Sequence, residues 1–94
     1  MNEQVTVIAR VRAKAGKETQ VREVCVGLCA PTRAEAGCIN YDLHESPDNP
    51  REFMFHENWA TTATLDAHLK SPHVQAAFKV MPEILEGPPE ITLW

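Results

Sequence analysis

Two alternating runs, "CINYDLHES" from Cys38 and "EFMFHENWA" (Glu52–Ala60), are separated only by the turn formers "SPDNPR". Strict alternation marks each run as a strand, and so short a connection joins them as an antiparallel hairpin. Pairing Tyr41 with Glu57 gathers Ile39, Tyr41, Leu43, Phe53, Phe55, Glu57 and Trp59 on one face. The other face then carries Cys38, Asn40, Asp42, His44, Met54, His56 and Asn58. A slip of one residue would exchange the two sets, so this register decides which side becomes core. An isolated hairpin is marginal in water, so further strands and a helical layer must cover the aromatic face.

The rest of the chain supplies both. "QVTVIARVRA" (Gln4–Ala13) alternates Val5, Val7, Ala9 and Val11 with Thr6, Ile8, Arg10 and Arg12, which predicts a half-buried strand before the turn "KAGK". From Lys17 to Ala34, Val21, Val24, Cys25 and Leu28 recur at helical spacing, with Pro31 expected to kink the helix or open a short terminal turn and Gly37 to end the element. After the hairpin, Thr61 or Thr62 caps a short helix, "TATLDAHLK", whose stripe is Leu65, His68 and Leu69. Ser71 and Pro72 stop that helix and start another, carrying Val74, Ala77, Phe78 and Met81, with Pro82 near its end. "GPPEITLW" closes the chain as a strand that Pro88 and Pro89 confine to an edge or to another subunit. The order β-α-β-β-α-α-β predicts an α+β, ferredoxin-like antiparallel sheet with helices on one face. The other face, partly apolar through Ile8, Cys38 and Met54, needs a second cover, and a second copy of the same sheet is the simplest one.

Length and charge narrow the function. Ninety-four residues are expected to form a single domain, residues 1–94, with a thin stability margin. A formal charge of −4 without a Lys/Arg cluster argues against nucleic acid as a partner. No apolar run reaches the length of a membrane span and the N-terminus lacks a signal-peptide layout, so a cytoplasmic setting without membrane contact is expected. Cys25, Cys29 and Cys38 lack metal-ligand spacing, Cys25 and Cys29 suit a buried helix face, and the histidines lie in other elements, so no metal site is expected.

His68 falls within an apolar stripe and should face the sheet, across from Tyr41, Glu57 and Trp59. An imidazole there is either a buried residue with one hydrogen-bond partner, a role Glu57 can fill, or an acid–base group able to exchange a proton near neutrality. Glu57 is expected to orient it or to raise its pKa. His73, beside Pro72, suits solvent or capping contacts, and His44 and His56 suit a subunit seam. Trp59 and Phe78 are core residues or the walls of a flat aromatic site.

"APTRAEAGCINYDLHES", "FMFHENWATTATLDAHLKSPHVQAAF" and "PEILEGPPEITL" resemble the antibiotic biosynthesis monooxygenase family, especially its small quinol-monooxygenase-like members. The resemblance covers nearly the whole chain, and its most specific part is Glu57-x-Trp59 followed by the run from Leu65 to His73. It implies a homodimeric α+β barrel and oxidation of a quinol, anthrone or related phenol by O2, with no flavin, haem or metal. It also implies His68 as the base, Glu57 as its partner in catalysis, and Trp59, Tyr41 and Phe78 around the substrate, with Asn40 as a possible donor to a substrate oxygen. Haem-degrading relatives use other residues at the places that here are Val7, His68 and Phe78, which disfavours that activity. Phosphosugar-isomerising relatives need converging cations, and Arg10, Arg12, Arg33 and Lys70 give no sign in the sequence of converging. An oxygen-independent isomerase or cyclase and a non-catalytic dimeric binding protein stay open beside the monooxygenase.

Overall fold

A computed structural model describes residues 3–94. The chain runs β1 (Val5–Arg12), α1 (Glu18–Arg33), β2 (Cys38–Glu45), β3 (Glu52–Trp59), α2 (Thr62–Leu69), α3 (Pro72–Ile84) and β4 (Glu90–Leu93). The strands form one antiparallel sheet in the order β2-β3-β1-β4, the ferredoxin-like α+β arrangement expected from the sequence. Tyr41 lies opposite Glu57, and Glu57 opposite Val7, so the expected hairpin register holds.

One departure sits at the start of β2. Cys38 pairs with Trp59 and Asn40 with Asn58, leaving Ile39 as the extra residue of a β-bulge. Ile39 is therefore exposed rather than on the core face, and half-buried Cys38 packs against the core in its place. Alternation alone carries no sign of an inserted residue.

The helical layer follows from its stripes. Val21, Cys25, Leu28 and Thr32 of α1 are buried, and the helix runs through Pro31 to Arg33 without a separate turn. Pro31 is tolerated because it stands near the C-terminal end, where helical hydrogen bonding is already giving out. Thr61 caps α2 by accepting the Thr64 N–H, and Ser71 caps α3 by accepting the Val74 N–H, with Pro72 in the first turn. The core between the layers centres on Trp59, Phe53, Val21 and Cys25. β4 is an edge strand paired only with β1, and all four of its residues are exposed. No helix among the described residues is long and apolar enough to cross a membrane.

Candidate active site

Three elements converge on His68. Leu65 and His68 are the buried residues of α2, which points the imidazole at the hairpin. The ring lies 4.6 Å from Trp59 by centroids and meets Tyr41 edge-on at 5.5 Å. Its Nδ1–H donates to Glu35 Oε2 at 2.7 Å. A neutral imidazole protonated at Nδ1 keeps its lone pair on Nε2, and Nε2 lies 4.0 Å from Glu57 Oε1.

The orienting carboxylate is thus Glu35, not Glu57. The separation of 4.0 Å is too long for a hydrogen bond, and Glu57 Oε1 instead accepts the Trp59 indole N–H at 2.9 Å. Glu35 lies in the α1–β2 loop and has no periodic position that would mark it in the sequence. Its placement depends on Gly37, whose φ of +81° turns the chain into β2. Any Cβ at Gly37 would clash with the Thr64 side chain, so the loop lies directly against the first turn of α2. His73, at the start of α3, also approaches Glu35 Oε2, with its Nε2 at 3.0 Å. Glu35, His68 and His73 are therefore residues able to hold a metal, an arrangement that linear spacing concealed because the carboxylate arrives from another element.

In front of the ring lies a cavity of about 130 Å³, lined by Tyr41, Phe55, Glu57, His68, Phe78 and Met81 among others. Its apolar walls include Val7, Leu28, Ile91 and Leu93. Exposed Phe78, Ile91 and Leu93 mark the open side. Trp59 is not a wall of this cavity; it is fully buried behind His68. Asn40 is also not among the lining residues. It projects from the sheet's other side, where its amide donates to Asp42 and to the His56 carbonyl and accepts from Asn58. Alternation along β2 makes this unavoidable once Tyr41 faces inward.

Burial changes the acid–base chemistry. Desolvation, opposed by the indole hydrogen bond, pushes the Glu57 carboxyl up to about 7. Desolvation also lowers the His68 pKa, against the opposing pull of Glu35. Tyr41 is driven upward, first by burial and then by the Glu57 charge, so its phenol stays protonated. Near neutrality the cavity therefore holds an uncharged base beside a carboxyl that is substantially protonated, a pairing suited to taking one proton and giving another.

The sequence profile of the antibiotic biosynthesis monooxygenase family matches residues 4–80. Protein Rv0793 of Mycobacterium tuberculosis is 34% identical over 93 residues, covering 99% of this chain and 91% of its own, and its solved structure superposes with a TM-score of 0.91. Protein SO0527 of Shewanella oneidensis is 33% identical, with a TM-score of 0.94 over 100% of this chain and 91% of that one. The chain spans 61% of the length of the Synechocystis protein sll1783, to which it is 28% identical over 90 residues. With profile, sequence and fold in agreement, the chain belongs to the antibiotic biosynthesis monooxygenase family.

Proposed function

We propose that this protein is a cofactor-independent monooxygenase that oxidises an electron-rich quinol, anthrone or related phenol with O2. The observation that carries the reading is the setting of His68: its Nδ1 lies 2.7 Å from Glu35 Oε2, which favours the proton on that nitrogen, and its Nε2 is left beside the Glu57 carboxyl at an apolar cavity. His68 removes a proton from the bound substrate, and the resulting anion gives one electron to O2. The radical pair joins as a peroxide anion, which takes the proton back from the His68 imidazolium to give the substrate hydroperoxide and restore the neutral base. For an anthrone-type carbon, loss of water then leaves a carbonyl: two hydrogens depart, one oxygen atom enters the product and the other leaves in water. Glu57, still protonated near neutrality, supplies the proton for the departing oxygen. Apolar walls limit competing protonation of the anion by water.

The size of the cavity bears on the substrate. A cavity of roughly 150 Å³ holds one benzene ring, so about 130 Å³ encloses most of a single ring and leaves the rest of a quinol at its open side. A three-ring anthrone must extend past Phe78 and β4. Tyr41 and Phe78 serve as walls, while Trp59 acts from behind by holding Glu57. The protein works as a homodimer through the uncovered sheet face, and a cytoplasmic setting fits three unbridged cysteines.

Oxygen uptake by the protein over a panel of quinols and anthrones, corrected for autoxidation, tests the proposal. Saturable uptake is expected, falling at least about a hundredfold in His68→Ala with its circular dichroism unchanged. Turnover at an equal rate under argon would instead identify an isomerase or cyclase, and uptake unaffected by His68→Ala would remove His68 as the base.

A further inference from the structure

We propose that Glu35, His68 and His73 form a binding site for a divalent transition cation of the zinc class, on the side of His68 away from the cavity. Each residue comes from a different element: the α1–β2 loop, the last turn of α2 and the first turn of α3. Glu35 Oε2 lies 2.7 Å from His68 Nδ1 and 3.0 Å from His73 Nε2, and the three ligating atoms fall within 4.8 Å of one another. Zinc bonds of about 2.0–2.2 Å in a tetrahedral site put neighbouring ligand atoms roughly 3.3–3.5 Å apart. The two Glu35 contacts must therefore open by about half an ångström, while the two imidazole nitrogens, which lie within 4.8 Å of each other, close to the same spacing. Two imidazole nitrogens and one carboxylate oxygen suit zinc and its neighbours, whereas magnesium and calcium prefer all-oxygen sites.

The surroundings hold the ligands in place. Ser71, between the two histidines, donates its hydroxyl proton to the His68 carbonyl at 2.6 Å and also caps α3, which fixes one imidazole relative to the other. Gly37 packs the Glu35 loop against Thr64 in the first turn of α2. The His68 side chain is closed off at 4% exposure, but Glu35 and His73 remain 17% and 23% exposed. That gives a cation a route in and leaves a fourth position for water.

Occupancy has a chemical consequence that rests on the proposed role of His68 as a base. A cation on Nδ1 displaces the proton there, so a neutral His68 must carry its proton on Nε2. The lone pair facing the cavity is then lost, and the metal acts as an inhibitor.

The test is zinc and magnesium titration of tag-free, EDTA-treated full-length protein by calorimetry and thermal unfolding. Zinc is expected to bind at one per chain and raise Tm, while magnesium does neither. Glu35→Gln and His73→Ala should each weaken zinc at least about tenfold, whereas a His44→Gln, His56→Gln, Cys38→Ser triple variant should bind like wild type. Absence of saturable zinc binding, or binding that persists in His73→Ala and Glu35→Gln, overturns the site. One zinc per chain, lost in those two variants but without inhibition of oxygen uptake, upholds the site and removes His68 as the base.

Discussion

Glu57 and His68 share one desolvated volume, and burial favours the neutral form of both. For Glu57, a folded pKa of about 7 against an ordinary 4.5 means that the folded state holds its proton more tightly than the unfolded chain. Stability from this group is therefore complete below about pH 4.5 and is lost as pH rises through about 7, a change of roughly 3 kcal/mol. Glu57→Gln removes that slope: in EDTA-treated protein its stability relative to wild type should rise by about this amount between pH 4 and pH 8, measured by urea unfolding. His68 runs the other way. Its lowered pKa favours the neutral ring, so its stability cost appears as pH falls below 6.5. For activity, the same two groups predict a bell-shaped pH profile whose alkaline limb lies near pH 7, where Glu57 ionises, and disappears in Glu57→Gln.

At the scale of elements, the site depends on where α2 begins. The Thr61–Thr64 capping box fixes its first turn, and Gly37 lets the preceding loop lie against Thr64. Thr61→Ala should cost about 1 kcal/mol, the ordinary price of a lost cap. Gly37→Ala should cost about 2 kcal/mol or more, because it combines a positive φ with a Cβ that has no room. By displacing Glu35 from His68, it should also lower oxygen uptake more than Thr61→Ala does, an effect that urea unfolding of the same variants would separate from lost stability. The caps of α2 and α3 are legible in the sequence because Thr-x-x-Thr and Ser-Pro state local hydrogen-bond chemistry. The bulge at Ile39 is not, since an inserted residue leaves period-two alternation intact on either side of it.

For the whole molecule, the two faces of the sheet have different needs. One is covered by α1, α2 and α3; the other presents half-buried Ile8, Met54 and His56 around a polar ladder of Thr6, Asn58, Asn40 and Asp42. A second sheet laid on this face would exclude water from Ile8 and Met54 while keeping the ladder's internal hydrogen bonds. Light scattering should therefore give twice the mass of one chain for wild type, and Ile8→Lys with Met54→Lys should give a monomer. A monomeric wild type would rule out the homodimer.

By itself, the sequence determined the element order, the hairpin register and the inward direction of His68, Tyr41 and Glu57. Those features follow from periodicity, turn chemistry and caps, which act over a few residues. Only the tertiary structure decided that Glu35 orients His68 and that Trp59 stands behind the imidazole. The contacts of Glu35 join residues more than thirty positions apart across a loop. The setting of Trp59 depends on how α2 lies over β3, where the imidazole comes between the indole and the cavity.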